Sequence, residues 1–196
     1  MKSALPQSSL AQLFTEARTY HAWTDRPVGN DQLVQLYELL KWGPTAVNTN
    51  PARFLFLTTY AAKQKLLPML MDSNVEQVRS APVTLIIAQD RRFHDRVAEL
   101  FPAYDATSYF EEDEARRDQA GFRNSSLQGA YAILAARALG LDVCPMSGFD
   151  VAAVDGEFFA GTNWHANFVM TLGHGDAAGL YPRGPRLTFD EACMIT

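Results

Sequence analysis

FRNSSLQGAYAILAARALG, residues 122–140, is the stretch on which the reading of this chain turns. Phe122, Leu127, Ala130, Tyr131, Leu134, Ala135, Ala138 and Leu139 recur at helical spacing, and Gly140 stands where a helix C-cap is expected. Five alanines, Ala130, Ala132, Ala135, Ala136 and Ala138, let neighbours approach this helix from more than one side, which predicts a central element. Working outward, the apolar runs Phe54 to Thr58 and Pro82 to Ala88 have strand length, with a helical stretch between them. Ala166 to Leu172 is apolar enough for a further buried strand, after which Gly173, Gly175, Gly179 and Gly184 mark a loop-rich tail. Leu33, Leu36, Tyr37 and Leu40 predict an amphipathic helix that Gly43 and Pro44 stop. Ser9 and Gln12 read as a capping box opening a first helix through Leu10, Leu13, Phe14 and Ala17 up to Arg18. The sum is a sheet with helices on its faces, α+β or α/β, in one domain spanning 1–196.

Composition narrows the class of partner. Apolar residues make up 47% and charged residues 20% of the 196, which suits a packed core and not disorder. A net charge of -5 disfavours general nucleic-acid binding, which needs a phosphate-neutralising positive surface, so any anion site must be local. The opening MKSALPQSSLAQLF lacks the apolar core of a signal peptide, and no apolar run approaches the roughly 20 residues needed to cross a bilayer. The expectation is a cytoplasmic protein with no membrane and no nucleic-acid partner. Cys144 and Cys193 form no paired motif and read as buried or inert thiols in a reducing compartment.

The chain carries no GxSxG elbow, P-loop, GxGxxG turn, HExxH or paired-Cys metal pattern, and His21, His94, His165 and His174 are scattered. The acidic run Glu111 to Glu114 reads as a solvated helix start or loop. A bound cofactor would therefore carry any hard chemistry, with no catalytic side chain and no metal ligand to name. Three segments stand out. Arg18-Thr19-Tyr20-His21-Ala22-Trp23 gathers a guanidinium, a hydroxyl and an imidazole suited to a phosphate, or else is a basic helix end favoured by the dipole. Trp42 to Phe54, WGPTAVNTNPARF, is a rigid polar turn that can hold a flat heterocycle by its edge, or else a plain connection. Cys144-Pro145-Met146-Ser147-Gly148-Phe149-Asp150 places a glycine where a ring could approach the backbone, and Arg183 and Arg186 in the tail could converge on the same phosphate.

In this order and spacing the segments resemble the nitroreductase family of flavoproteins. Arg18-Thr19-x-His21-x-Trp23 resembles the family's basic-Ser-x-basic-x-aromatic start, and Gly43-Pro44-Thr45-Ala46-x-Asn48-x-Asn50-Pro51 resembles its P-S-x-x-N-x-Q-P loop. Gly140-Leu141, Met146-Ser147-Gly148-Phe149 and Arg186-Leu187 complete a pattern that covers nearly the whole chain. The resemblance implies a three-layer α-β-α sandwich of the α+β class, a homodimer through the long central helix, and one FMN in each of two interfacial clefts. It implies that Arg18, Thr19, His21, Arg183 and Arg186 hold the phosphate, and that Pro44, Thr45, Ala46 and Asn48 of the partner line the isoalloxazine and ribityl chain. Met146, Ser147 and Gly148 would sit by the flavin's reactive edge, with the NH groups of Ser147 and Gly148 near N5 and O4, and Asn74 and Gln77 at its pyrimidine edge. Two departures are visible: His21 stands where Arg or Lys is usual, and Asn50 where Gln is frequent.

Within the family, Lys41-Trp42-Gly43-Pro44-Thr45, Phe122 to Gln128, Gly140-Leu141-Asp142, Pro145 to Asp150 and Pro185-Arg186-Leu187 resemble a bacterial branch that reduces malonic semialdehyde to 3-hydroxypropionate in uracil breakdown. The implied mechanism is ping-pong hydride transfer from NADPH or NADH to the flavin and on to a small-molecule substrate in the same pocket. For a substrate carboxylate, Arg91, Arg92 and Arg123 are the candidate partners, or else surface charges. The rival readings are a broad nitro or quinone reductase on the same site, a flavin-binding module without turnover, and an α+β dimer with no cofactor.

Overall fold

The computed structural model describes residues 3–196. Helix α1 (Gln7–Leu10) follows Pro6 and continues as a π-helical turn over Ala11–Thr15. The first helix thus begins before Ser9 and ends before Arg18. No side chain caps it; instead Gln12 Nε2 donates to the carbonyl of Arg137 at 2.7 Å, a tertiary contact that outbids the local box. Helix α2 (Asn30–Leu40) follows, its entry held by Gly29 N–H donating to Gln32 Oε1 at 3.1 Å. Strand β1 (Ala52–Leu57), helices α3 (Tyr60–Leu66) and α4 (Asp72–Ser80) and strand β2 (Val83–Asp90) come next. Short helices α5 (Val97–Leu100) and α6 (Thr107–Glu111) lead to α7 (Glu114–Ala138), which Asp113 caps by accepting from Arg116 N–H. Strand β3 (Asp142–Met146), helix α8 (Val151–Phe158), strand β4 (Trp164–Gly173) and a last turn α9 (Phe189–Ala192) complete the chain.

The four strands form one sheet in the order β1-β2-β4-β3, antiparallel throughout, which settles the class as α+β. Period-two alternation splits the side chains between two cores. Val83, Leu85 and Ile87 of β2, Val143 of β3 and Met170 and Leu172 of β4 face α2 and α7. Ile86, Ala88, Cys144, Met146 and Val169 face α3, α4 and α8. Helices therefore cover both faces, a three-layer α-β-α sandwich. None among the described residues is long and apolar enough to cross a membrane.

The 25-residue α7 is about 37 Å long at 1.5 Å per residue, and it presents a face of small and polar residues to the sheet. Gly121, Asn124, Ser125, Gln128, Gly129, Ala132, Ala135 and Ala136 are buried, whereas Phe122, Leu127 and Tyr131 are exposed. The large apolar residues from which the helix is legible thus lie mostly outside, and small residues let it press on the sheet. A Cβ on Gly129 would lie 2.4 Å from Phe168 Cζ.

Candidate functional site

The segment after α1 is extended, pairing Thr19 with Val143 of β3 and Trp23 with Gly175 beyond β4. It forms one wall of a 620 Å³ cleft, with Arg137 on a second side and the tail Tyr181 to Arg186 on a third. Arg18 donates to the carbonyl of Tyr181, and Arg183 Nη2 to that of Ala17 at 3.1 Å, so segment and tail clasp each other. Arg186 donates to the Gly184 and Pro185 carbonyls at 3.1 and 2.9 Å. The ring of His21 lies 4.9 Å from that of Tyr181. Among the described residues none of Arg18, Arg183 and Arg186 makes an ion pair, although the chain as a whole is acidic. Carbonyls orient a guanidinium without cancelling its charge, so the cleft is a local positive site suited to a phosphate dianion.

Beside that cleft a chain of side-chain contacts runs along β3, the edge strand. His21 Nδ1 is 3.8 Å from Cys144 Sγ, and Cys144 Sγ is 3.0 Å from Gln77 Oε1 on α4. Asn74 Nδ2 donates to the Gly148 carbonyl at 3.0 Å, and Met71 N–H to the same oxygen at 2.9 Å. That double bond fixes the turn after β3, and Gly148 fits because a Cβ would fall 2.6 Å from Met71 Sδ and 2.8 Å from Asn74 Nδ2. The exposed Ser147 and the half-buried Gly148 have N–H groups with no acceptor among the described residues. Met146 is buried in the core beneath them. Burial pushes the Cys144 thiol up to about 11. It is a packed, un-ionised group; Cys193, by contrast, is exposed, so burial holds for only one of the two thiols.

The third segment lies elsewhere. Pro44 to Asn50 precedes β1, the opposite edge of the sheet. A 3-10 turn over Ala46–Asn48 carries positive φ at Val47 (42°) and Asn48 (50°), with a third at Asn50 (42°). A β-branched Val47 in the left-handed region stores on the order of 1–3 kcal/mol unless its surroundings hold it. They do: Val47 packs against the Phe93, Val97, Ala106 and Phe110 cluster. Ala46 N–H donates to Asn124 Oδ1 at 2.8 Å, Asn48 Nδ2 to the Leu100 carbonyl at 2.8 Å, and Ala52 N–H to Gln128 Oε1 at 2.9 Å. Thr45 Oγ1 accepts from Asn50 N–H at 3.2 Å.

The sequence-predicted residues thus fall into two groups. Arg18, Thr19, His21, Asn74, Gln77, Met146, Ser147, Gly148, Arg183 and Arg186 gather along the β3 edge. Pro44, Thr45, Ala46 and Asn48 stand on the β1 edge, three strand spacings or about 14 Å across the sheet and about 20 Å further along it. One chain does not bring the two groups together. Sequence reading passed over Asn124 and Gln128, which hold the loop from a helix, and Arg137 and Tyr181, which wall the cleft. The signal for the first pair was present: polar residues at 124 and 128, four apart, on the phase of the small residues Gly121 and Ser125.

Comparison with known proteins gives a consistent picture. The model of the nitroreductase family matches residues 15–174. A protein of Stenotrophomonas maltophilia (strain R551-3) named "Putative NADH dehydrogenase/NAD(P)H nitroreductase" is 54% identical over 195 residues, covering 100% of both chains. A relative of the same name in Xanthomonas oryzae pv. oryzae (strain PXO99A) is also 54% identical over 195 residues, again with 100% of each chain covered. Among solved structures, a "putative nitroreductase" from Exiguobacterium sibiricum 255-15, crystallised in complex with FMN, superposes with a TM-score of 0.85 at 19% identity, covering 100% of this chain and 99% of that one. A family model spanning most of the chain, with relatives more than half identical along all of it, establishes that the chain belongs to the nitroreductase family.

Proposed function

We propose that the protein is an FMN-dependent NAD(P)H oxidoreductase that reduces a small carbonyl acid, malonic semialdehyde, to 3-hydroxypropionate in the cytoplasmic breakdown of pyrimidines. The observation that carries the cofactor assignment is the cleft with Arg18, Arg183 and Arg186 bare of acidic partners. The donor set fits the group: cations and Thr19 for a phosphate, Asn74 and Gln77 for a heterocycle edge, and the unpaired Ser147 and Gly148 N–H groups for its reactive side. FMN, when bound, would supply the hydride chemistry that links NAD(P)H to the acceptor, the net change being semialdehyde, NAD(P)H and H⁺ to 3-hydroxypropionate and NAD(P)⁺.

The chain's own part is binding and electrostatics. The arginines anchor the phosphate, and fixed backbone donors at Ser147 and Gly148 stabilise negative charge on whatever is held against them, without reorganising at the moment of reaction. Because loop 44–48 lies on the far edge of the sheet, we assign its contact with the cofactor to a second copy of the chain, packed on the exposed apolar face of α7. The names of the curated relatives and of the FMN-bound structure support the oxidoreductase class and the cofactor. The relatives' nitroreductase name also favours a second reading, a broad nitro or quinone reductase using the same site.

An anaerobic visible spectrum of the purified protein, taken before and after NADPH and then after malonic semialdehyde, separates these readings. Flavin absorbance that NADPH bleaches and the semialdehyde restores is the expected result. Restoration only by a quinone or nitroarene would select the broad reductase, absorbance that neither NADPH nor NADH bleaches would leave a binding module, and a protein that takes up no FMN would sink the assignment.

A further inference from the structure

A second cavity, 400 Å³, opens at the start of α7 and has no part in the phosphate cleft. Its lining mixes apolar residues, Tyr109, Phe110 and Leu127, with two cations, Arg116 and Arg123, and Ala46 of the loop also contributes. The two cations differ. Arg116 is already engaged, 3.2 Å from Asp113 Oδ2, donating to the Tyr109 carbonyl at 2.9 Å and stacked 4.2 Å over the Tyr109 ring. Arg123 has no ion pair and no hydrogen bond among the described residues. Of the other arginines considered for a substrate carboxylate, Arg92 is held bidentately by Asp95 at 2.9 and 2.7 Å, and Arg91, exposed like Arg123, lies outside this cavity.

We infer that this cavity is the acceptor site and that Arg123 selects acceptors bearing a carboxylate by pairing with it. The volume lies near the lower end of the range for small-molecule pockets, about 300–1,000 Å³, so it fits a short acyclic acid. A guanidinium with its whole fork free matches one carboxylate, whereas a phosphate dianion is better served by the cluster in the other cleft. Tyr109, Phe110 and Leu127 add an apolar lining beside the guanidinium for the acceptor's carbon chain. The position follows from Asn124, one residue along from Arg123, which binds Ala46 N–H and so ties the cavity to the loop assigned to the second copy's flavin. The inference rests on that assignment.

The test compares the FMN-loaded wild type with Arg123→Ala and Arg123→Lys, using malonic semialdehyde as the charged acceptor and 1,4-benzoquinone as the uncharged one. Malonate binding is measured in parallel by calorimetry. Loss of one charge-assisted pair predicts a rise of about 10- to 100-fold in KM for the semialdehyde in Arg123→Ala, and a fall in the acid-to-quinone ratio of kcat/KM by a similar factor. Malonate affinity should fall in step, and Arg123→Lys should recover part of both. Equal losses for acid and quinone, or malonate binding untouched in Arg123→Ala, would overturn the role of Arg123. Should the wild type hold no reducible flavin, the functional reading fails separately, and malonate calorimetry still decides whether Arg123 binds the acid.

Discussion

His94 shows how much one unsatisfied residue can reveal. Its side chain is wholly buried, and neither ring nitrogen has a hydrogen-bond partner. Burial holds its pKa below the usual histidine value; Asp95 and Glu111 oppose that shift, and Arg92 and Arg117 reinforce it. The folded state therefore prefers the neutral ring, while the unfolded chain protonates near the ordinary value of about 6.5. The stability this contributes is complete above that value and is lost as pH falls through it. Thermal unfolding at pH 7.5 and 5.5 should show a fall in Tm that His94→Leu reduces by on the order of 2–4 °C; an unchanged difference would refute the assignment. Cys144 gives a second check at this scale. With its thiol buried and its pKa pushed up to about 11, it should resist a thiol reagent in the native protein, and denaturation should release one further reactive thiol. Its reaction at the same rate as an exposed thiol would show that the thiol is open to solvent. Residues such as Arg18 and His21 were legible because charge beside a hydroxyl is visible in a string of letters. The carbonyls that orient the arginines, at Ala17 and Tyr181, carry no signature in residue type.

At the scale of the element, α7 was legible as a helix, and its alanines marked it as one that neighbours approach closely, but which face meets the sheet was not read. The periodic apolar residues face outward, since contact with the sheet is set by how closely the backbone approaches and not by side-chain size. Gly129 tests this. Alanine there would gain about 1 kcal/mol of helix propensity, but its Cβ would meet Phe168 at 2.4 Å, and overpacking of a core costs about 1–3 kcal/mol. Gly129→Ala should thus lower the unfolding free energy, whereas Gly156→Ala in α8, where a Cβ meets nothing within 4 Å, should raise it by up to about 1 kcal/mol. Denaturant titration of both variants gives the signs; stabilisation by both would mean that α7 stands further from the sheet. Strand β3 escaped recognition for another reason. It is five residues long and contains Pro145, tolerable because β3 is an edge strand, and sequence cannot distinguish an edge from a loop. The capping box at Ser9 and Gln12 failed because Gln12 reaches a carbonyl 125 residues away.

At the scale of the whole molecule, the sandwich was legible from alternating strands and helices, but the separation of the site residues onto opposite sheet edges was not, because it depends on strand order. The exposed Phe122, Leu127 and Tyr131 on α7 make a surface that a second copy would cover. Light scattering should therefore return twice the 21.8 kDa chain mass, and FMN affinity should fall on dilution into the monomer range. A monomer that holds FMN at full affinity would contradict the shared site. The two-edged layout also has a genetic consequence. An allele disabled at Arg18 and an allele disabled in loop 44–48 would each be inactive alone. In mixed pairs of subunits, however, one cleft would combine the sound cradle of one product with the sound loop of the other. Random pairing would then restore about a quarter of the wild-type sites, so two null alleles expressed together would complement each other.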